Sequence, residues 1–293
     1  MRALTERAWA KLNLSLDVLD RRPDGYHDMR MVMQTVSLCD EVRLEALDAG
    51  GIRLKTSFSY LPADRRNLAW RAAELFFSEL SKPPGGLAIS IQKRIPVGAG
   101  LAGGSADAAA VLRGLNTLLG AGKTLAELER LGGRLGSDVP YCVAGGTRLA
   151  TGRGEILEDL PPLPPCGVVI CKPAFSIRTP ELFGRVDQRQ GNIRPDTDGI
   201  VSALEEGSLG GVARRMYNVF EEVLPARCAE IGLLRKRLVD EGALGAVMTG
   251  TGSAVFGLFP DPEAARRAAE KLGKSCRECF AARPVARFPE TLP

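Results

Sequence analysis

The residues with the clearest chemical meaning in this chain lie in one short stretch, residues 96–109, which reads PVGAGLAGGSADAA. Four of its first nine positions are glycine, and an alanine-rich helix is expected to follow them. Glycine allows backbone N–H groups to approach a ligand with no Cβ in the way. The first turn of the helix adds N–H donors without partners and the positive end of the helix dipole. The stretch therefore predicts a loop that binds the phosphate groups of a nucleotide.

The glycine spacing also fits the dinucleotide-binding fingerprint, because Gly98, Gly100 and Gly103 match G-x-G-x-x-G. That fingerprint requires a strand–helix–strand unit with an acidic residue about 20 positions further on. Here the helix is followed by a second helical pattern of leucines over residues 125–135, and the expected position falls in LLGAGKT, which has no acid. The context therefore argues against a dinucleotide site.

Two other glycine-containing stretches need an interpretation. Residues 122–124 read GKT, but a P-loop requires glycine five places before the Gly-Lys pair, where Thr117 stands, so we interpret them as the end of a helix and a turn. Residues 248–259, MTGTGSAVFGLF, hold a second glycine cluster between two expected strands. A tight hairpin explains this cluster, and so does a loop that approaches a bound phosphate.

A strand near the N-terminus places two polar side chains together. Apolar residues alternate with other types over residues 8–18, so the apolar set is expected to face the core. Lys11 and Asn13 then share the opposite face, which the alternation predicts to be solvated, as in a half-buried strand.

The remaining pattern predicts mixed helices and strands in two domains. The proline run PPLPP at residues 161–165 is the best candidate linker, so we expect domains at 1–160 and 161–293. In the first domain we expect strands at 30–38, 41–47 and 87–91 and a helix at 67–80. In the second we expect a strand at 167–171, several helices between 179 and 240, strands near 245–249 and 254–259, a helix at 261–272 and a last strand near 279–286.

Composition narrows the class of protein. Of 293 residues, 39 are basic and 35 acidic, a balance that disfavours a nucleic-acid partner. No run approaches about 18 consecutive apolar residues, and no apolar signal core stands at the N-terminus, so we expect no membrane partner.

The seven cysteines are scattered and odd in number, which predicts reduced thiols and a cytoplasmic location. Cys276 and Cys279 form a lone C-x-x-C, which we interpret as incidental because zinc needs four ligands. Nothing indicates the oligomeric state.

Taken together, the motifs resemble those of a known superfamily. The strand with A-K-L-N, the loop GLAGGSADAA and the late GTGS resemble the three motifs of the GHMP kinases, which include galactokinase, homoserine kinase and mevalonate kinase. Longer stretches are similar to the branch that acts on a cytidylyl sugar-alcohol diphosphate: RAWAKLNLSLDVLDRRPDGYHDMRMVMQTVSLCDEV, IQKRIPVGAGLAGGSADAA, LGSDVPYCVAGGTRLATGRGE and KPAFSIRTPELF. The resemblance covers essentially the whole chain. It implies an α+β fold of two domains, with the active site in the cleft between them.

The resemblance also implies an activity and its residues. The activity is ATP-dependent phosphorylation of the 2-hydroxyl of 4-diphosphocytidyl-2-C-methyl-D-erythritol, in non-mevalonate isoprenoid biosynthesis. The implied catalytic residues are Lys11 and Asp138. The implied ATP-binding residues are Pro96, Val97, Gly98, Ala99, Gly100, Leu101, Ala102, Gly103, Gly104, Ser105, Ala106 and, near the base, Asn67. The implied substrate-binding residues are Asn13 for the erythritol portion and Tyr26, His27, Thr179 and Phe183 around the cytidine.

These assignments fit the chemistry of phosphoryl transfer, in which positioning and electrostatics outweigh covalent steps. Lys11 would neutralise the transferring group, and Asp138 would accept the hydroxyl proton. We expect Asp138 to pair with Lys11, which would lower its pKa and keep it ionised. Without the resemblance, an Asp-Val-Pro sequence usually indicates a helix cap. Mg²⁺ is expected to bridge the phosphates, with Ser105 as a candidate contact and no dedicated protein metal site.

Some positions depart from the family pattern, and two other functions remain open. The family loop usually carries glycine where Ala99 and Ala102 stand and often serine where Ala106 stands, so the added methyl groups should restrict the loop.

A kinase of another small alcohol, such as homoserine, would share the loop but would not need Tyr26 and its neighbour His27. A non-catalytic nucleotide-binding protein would have no reason to keep both catalytic groups.

Overall fold

The computed structural model describes residues 3–80, 83–189 and 193–288. Its strands are β1 (Ala3–Arg21), β2 (His27–Leu47), β3 (Gly51–Thr56), β4 (Gly86–Gln92), β5 (Thr147–Thr151), β6 (Ile156–Asp159), β7 (Gly167–Lys172), β8 (Tyr217–Asn218), β9 (Gly245–Met248), β10 (Val255–Phe259) and β11 (Glu278–Ala282). Its α-helices are α1 (Leu68–Ser78), α2 (Gly103–Leu119), α3 (Leu125–Gly133), α4 (Val139–Ala144), α5 (Thr179–Val186), α6 (Thr197–Glu205), α7 (Leu209–Arg215), α8 (Glu230–Asp240) and α9 (Pro262–Leu272). Short 3₁₀ turns cover Val219–Val223 and Ala226–Cys228.

Two long antiparallel strands, β1 and β2, form the centre of the first sheet. On its other edge β2 pairs with β5 through residues 31–34 and with β4 through residues 41–47. The strands expected separately at 30–38 and 41–47 are therefore one strand, and that prediction was wrong. An aspartate is unfavourable in a strand, but Asp40 is buried, forms an ion pair with Lys93 and accepts the N–H groups of Arg94 and Ile95 at 2.5 and 2.8 Å.

The polar face of β1 is buried, in contrast to the solvated face that the alternation predicts. Lys11, Asn13 and Ser15 are 4%, 0% and 0% exposed. The register between β1 and β2 shifts between Trp9 and Lys11 and again between Asn13 and Ser15. Such irregularities re-aim side chains beside functional sites. The polar face of this strand therefore lines an internal site, not the surface.

The second sheet has the order β11-β7-β10-β9, with all of its pairs antiparallel. Two short pieces from the second half of the chain return to the first sheet. Strand β8 pairs in parallel with β1, and Ser37 and Thr35 on β2 exchange backbone hydrogen bonds with residues 283–285 at 2.8 and 2.9 Å. The two halves are therefore joined by strand pairing as well as by the chain connection at residues 160–166.

The helices of the first half pack on its sheet through small and aliphatic residues. Helix α2 is nearly all buried, and its alanines Ala106 and Ala108–Ala110 allow it to lie close to the strands. Helix α1 begins at an N-cap, Asn67, whose Oδ1 accepts the N–H of Ala69 at 3.0 Å. Within residues 3–80, 83–189 and 193–288, none of the helices combines the length and apolarity that crossing a bilayer requires.

Candidate active site

The glycine loop adopts the backbone conformations for which glycine is suited. Gly98 and Gly100 have φ angles of +63° and +76°. Ala102 has φ +57°, and of the residues that the structure describes it alone has a positive φ without being glycine. It occupies the N-cap of α2 and provides no side-chain hydrogen bond to the helix. The N–H groups of the first turn are therefore left without a side-chain cap, as an anion-binding helix start requires.

The second glycine cluster is a hairpin loop that packs against the first. Residues 249–254 connect β9 to β10, and the N–H of Ala254 donates to Ala99 O at 3.1 Å. Thr249 Oγ1 lies 3.3 Å from Gly100 O. A Cβ on Gly100 would lie only 2.1 Å from Thr249 O. The hairpin interpretation is therefore confirmed, and the tip of the hairpin lies beside the glycine loop, which keeps the phosphate interpretation as a prediction.

Lys11 lies where these two loops meet. Its Nζ donates to Asn13 Oδ1 at 2.6 Å, and its backbone N–H donates to Leu101 O at 3.2 Å. A Cβ on Gly250 would be 3.2 Å from Lys11 Nζ. The side chain is 4% exposed but borders the cleft. An ammonium group is thus held beside a loop suited to phosphate, with two of its three N–H groups left for other acceptors.

Asn13 is occupied mainly with holding this junction. Its Oδ1 also accepts the N–H of Gly250 at 3.0 Å, and its own N–H donates to Thr249 Oγ1 at 3.1 Å. Its Nδ2 faces only Met31 Sδ, at 3.4 Å. Because a thioether is a weak acceptor, Nδ2 is the group of Asn13 with capacity to bind a ligand.

Asp138 borders the same cleft at the N-cap position of α4, but its side chain does not cap the helix. Among the described residues it forms no ion pair with Lys11, so the expected pairing is absent. Both charges act on one neighbour, the buried thiol of Cys142. Burial raises the pKa of Cys142 well above its ordinary value, while Asp138 raises it further and Lys11 lowers it. The two predicted catalytic groups therefore both border the cleft without forming an ion pair with each other.

A cleft of about 1030 Å³ connects these residues. The predicted site residues all line it except Ala106. Ala106 is buried in the first turn of α2, and its N–H already donates to Ala102 O at 2.8 Å, so it offers a ligand neither side chain nor donor. Asn67 lines the cleft, but its Oδ1 caps α1 and its Nδ2 donates to Pro62 O at 2.9 Å, which leaves one N–H for a ligand.

The far end of the cleft is aromatic and charged. Tyr26 is 57% exposed, with the guanidinium of Arg153 lying 5.2 Å from its ring centroid. The ring of His27 stacks on Phe183 at 5.0 Å, and its Nε2 is 2.6 Å from Asp187 Oδ1. The rings and charges at this end suit a flat, polar heterocycle, which needs stacking and hydrogen bonds along its edge.

Helix α5 connects this aromatic end to the hairpin loop. Thr179 lies in the first turn of α5, and its hydroxyl is 3.0 Å from that of Thr251. Phe183, one turn further along the same helix, also contacts Phe220 edge-on at 5.0 Å. Two residues one turn apart, on the same face of α5, therefore anchor this helix to the hairpin loop and to Phe220.

Sequence reasoning missed a buried charge cluster that borders the cleft beneath the glycine loop. Lys93 Nζ forms ion pairs with Asp40 and, at 2.7 Å, with Asp107. Burial alone lowers the pKa of Lys93, but the two carboxylates outweigh it and the pKa is raised. Burial raises the pKa of Asp107 to about 8, against the effect of Lys93. Asp107 Oδ1 has no hydrogen-bond partner although it is buried.

No spacing rule connects the members of this cluster, since they stand in a strand, at the end of another strand and in a helix. Arg153 and Asp187 were missed for the same reason, because each is a single charge in a polar segment. Only the fold brings these groups to the cleft.

Comparison with known proteins gives the class to which this fold and site belong. The GHMP kinases N terminal domain matches residues 67–146, and the GHMP kinases C terminal domain matches residues 200–278. A solved homoserine kinase from Cytophaga hutchinsonii, 22% identical over 98% of this chain and 96% of its own, has the same fold with a TM-score of 0.76.

Relatives with higher sequence identity to this chain identify the family within this class. A 4-diphosphocytidyl-2-C-methyl-D-erythritol kinase of Geobacillus kaustophilus is 44% identical over 96% of both chains. One of Lachnoclostridium phytofermentans is 40% identical over 97% of this chain and 98% of its own. A crystal structure of 4-(cytidine 5'-diphospho)-2C-methyl-D-erythritol kinase is 36% identical, covers 96% of this chain and 99% of its own, and has a TM-score of 0.82. The chain therefore belongs to the GHMP kinases and, within them, to the 4-diphosphocytidyl-2-C-methyl-D-erythritol kinase family.

Proposed function

We propose that this protein transfers a phosphoryl group from ATP to the 2-hydroxyl of 4-diphosphocytidyl-2-C-methyl-D-erythritol, in the non-mevalonate route to isoprenoids. The observation that carries the proposal is one cleft with a phosphate-binding loop and Lys11 at one end and the Tyr26, His27 and Phe183 rings at the other. The relatives that share the chain's full length bear the corresponding name. A homoserine kinase would need only the first end of this cleft.

We infer that the triphosphate of ATP binds between the glycine loop and the start of α2. The uncapped first turn supplies N–H donors, and Gly103 and Gly104 present no side chain to obstruct them. The remaining free N–H of Asn67 would contact the base. Ala102 already holds the positive φ that this approach requires, so its methyl group strains the loop without blocking it.

We infer that Lys11 and Asp138 carry the reaction. Lys11 has two N–H groups free of Asn13, and these would stabilise the charge on the transferring phosphoryl group. Asp138 would accept the proton of the 2-hydroxyl as the new P–O bond forms. Because Asp138 has neither a helix cap nor an ion pair with Lys11 to satisfy, its oxygens are available to the substrate.

Mg²⁺ is proposed to enter with ATP. Mg²⁺ bound in this way is held mainly by phosphate oxygens and water, with few protein ligands. Ser105 is the candidate to hold it, since it borders the cleft in the first turn of α2. Mg²⁺ would neutralise the charge of the phosphates.

We propose that the cytosine ring binds among Tyr26, His27 and Phe183. A flat ring can stack on the exposed Tyr26, and the ring nitrogen of His27 that does not face Asp187 can bond to the edge of the base. Arg153 stands over Tyr26, where it would also meet the diphosphate. Thr179 and Asn13 Nδ2 would contact the part of the substrate between the two ends.

A coupled ADP-release assay with Mg·ATP tests the reaction, with the cytidylyl substrate and homoserine offered in parallel. Turnover on the cytidylyl substrate alone supports the proposal. Turnover on homoserine, or on neither compound, refutes it and returns the aromatic end to a structural role.

We further propose two domains with a boundary near residue 160, although β8 and residues 283–288 pair across it. Residues 289–293, which the second domain was expected to include, lie outside the described residues.

All seven cysteines are free, which supports a reducing compartment, and we propose the cytoplasm. The charge balance supports the expectation of no nucleic-acid partner.

A further inference from the structure

Three cysteines that are distant in sequence meet on the second sheet, away from the cleft. Cys171 is the direct antiparallel partner of Cys279 where β7 pairs with β11, and the two Sγ atoms are 3.5 Å apart. Cys276, in the turn before β11, is a second neighbour of Cys171. The C-x-x-C motif that looked incidental in the sequence is therefore completed by a third thiol from another strand.

We propose that Cys171 and Cys279 are a site of reversible thiol oxidation and form a disulfide in response to a peroxide. Residues directly opposite each other in antiparallel strands have Cα atoms about 4.5 or 5.5 Å apart, within the range that a disulfide requires. Rotation of the two side chains is therefore enough to bring the sulfur atoms to bonding distance.

The two thiols have different environments, which assigns their roles. Cys279 is half-buried, and a hydrogen bond from Cys171 lowers its pKa. Cys171 is fully buried, and the pKa of its thiol is raised because it donates hydrogen bonds to Cys276 and Cys279. The hydrogen bond with Cys171 also lowers the pKa of Cys276, to about 7, but Cys276 is buried and does not stand opposite Cys171 in the sheet. Because the reactive thiolate must also be reached by the oxidant, Cys279 meets the oxidant and Cys171 resolves the product.

The chemistry balances with a hydroperoxide as the oxidant. With hydrogen peroxide, the Cys279 thiolate attacks one oxygen, the O–O bond breaks and a sulfenic acid forms, while the leaving hydroxide takes up one proton and becomes water. Cys171 then loses its proton and attacks the sulfenic sulfur, so that an S–S bond forms, the S–O bond breaks and a second water leaves. A small-molecule dithiol reduces this disulfide by thiol–disulfide exchange and restores both thiols.

Metal binding is the other common use of clustered cysteines, but the geometry does not support it. No group of three cysteine, histidine or acidic side chains among the described residues is arranged to hold a metal ion. The Sγ of Cys276 instead approaches the backbone oxygens of Lys172 and Glu278, each at 3.6 Å. Burial leaves Cys276 6% exposed, so it is less accessible to an oxidant than Cys279.

The test is peptide mapping after treatment of the purified full chain with hydrogen peroxide, alkylation of remaining thiols and digestion with trypsin. Trypsin separates the three cysteines, since Cys171 lies in 154–178, Cys276 in 275–277 and Cys279 in 278–287. We expect a cross-linked species of 154–178 with 278–287 that disappears after dithiothreitol treatment. Because 154–178 also contains Cys166, the C166S variant serves as the control and should retain the cross-link.

The variants C279S and C171S should lose the cross-link, and C276S should retain it. C279S changes a half-exposed position. Under reducing conditions the midpoint temperature of thermal unfolding of C279S should therefore equal that of the wild type, even if that of C171S is lower. A cross-link of 275–277 with either other peptide, or addition of two oxygens to Cys279 without any cross-link, overturns the proposal. All of these readouts are independent of kinase activity.

Discussion

The side chain of Lys11 is buried and still borders the cleft with its charge unpaired by Asp138. Removal of a lysine from water is costly unless its charge is paired, and here the partner is the neutral amide of Asn13. Asn13 fixes the ammonium group without cancelling its charge. Asp138 stands at the start of α4 on the border of the same cleft and caps no helix, so neither charge is used up by a partner of opposite sign in this pair.

Replacement of Asp138 by asparagine should separate binding from chemistry. Asparagine has a similar shape but cannot take up the hydroxyl proton, so we expect kcat to fall by about 10²- to 10⁴-fold. ATP affinity, measured by calorimetry, should stay within about twofold, since Asp138 lies outside the glycine loop. Asp48→Asn, an exposed change that does not line the cleft, is the control. Turnover of Asp138→Asn within tenfold of the wild type would remove Asp138 from the mechanism.

Asp187 should act on the cytidylyl substrate through His27. Its carboxylate is 2.6 Å from Nε2 and so fixes the ring and directs the opposite nitrogen to the ligand. Loss of a hydrogen bond of this kind costs about 1.5–3 kcal/mol, so Asp187→Ala should raise KM for the cytidylyl substrate by about tenfold or more.

The same variant should leave KM for ATP unchanged. Asp187→Asn, which keeps an acceptor oxygen, should recover part of the affinity for the cytidylyl substrate. Equal effects on both substrates in initial-rate measurements would indicate a purely structural role for Asp187.

At the scale of elements, the two glycine loops form a pair. The loop before α2 and the loop between β9 and β10 share backbone contacts at residues 99–100 and 249–254, so each supports the conformation of the other. A phosphate-binding loop held in this way needs little ordering when its ligand arrives, which favours affinity.

Gly100→Ala tests this contact, and Gly120→Ala is a matched control. Both positions have positive φ, +76° and +61°, so both variants carry the same backbone penalty of about 1 kcal/mol. Only at Gly100 does the added Cβ collide with another backbone, whereas at Gly120 no atom lies within 4 Å. We therefore expect ATP affinity to fall at least tenfold in Gly100→Ala alone. Equal ATP affinities in the two variants would refute the coupling of the loops.

The elements also show what could be predicted from the sequence. The regular alternation of β1 and the helical period after the glycine loop identified both elements, and the existence of the hairpin near residue 250 was predicted. The burial of the polar face of β1 was not predicted. The same alternation of apolar and polar residues occurs in a strand that faces water and in a strand that faces a polar cleft. The strands β3, β5, β6 and β8 were missed. Strands β3 and β6 are short and partly exposed with polar residues, and β8 has only two residues.

For the site, local patterns identified the glycine loop, while the resemblance supplied the single residues such as Asp138 and Phe183. The charge cluster of Lys93, Asp40 and Asp107 could not be found, because its members have no shared spacing. The ion pair between Lys11 and Asp138 was wrongly expected, since a sequence gives residue types but not the distance between side chains on separate elements.

For the whole molecule, the charge cluster links stability to pH. Burial raises the pKa of Asp107 to about 8, whereas the group titrates near 3.8 when exposed. Between these values the unfolded chain has lost a proton that the folded protein keeps. The folded state therefore binds more protons, and the free energy of unfolding should fall as pH rises through this window.

Asp107→Asn should reduce this dependence, because the amide cannot ionise in either state. Between about pH 5 and 8 we expect the wild type to lose at least about 1 kcal/mol more unfolding free energy than the variant. Urea denaturation at several pH values measures the difference, with Asp48→Asn as the exposed control. Parallel pH profiles for wild type and Asp107→Asn would contradict the assignment.

One hairpin, β1 and β2 with their turn, carries Lys11 along its length and Tyr26 and His27 at its tip. The spacing between the two ends of the cleft is thus set by hydrogen-bonded sheet, which advances about 3.3 Å per residue, and not by a flexible segment. We propose that the hairpin fixes the distance between the bound base and the reacting alcohol, so that a substrate is selected by this distance as well as by its chemistry. An insertion or deletion of two residues in each strand is the smallest that keeps every side chain on its own face, and it would change this distance by about 7 Å.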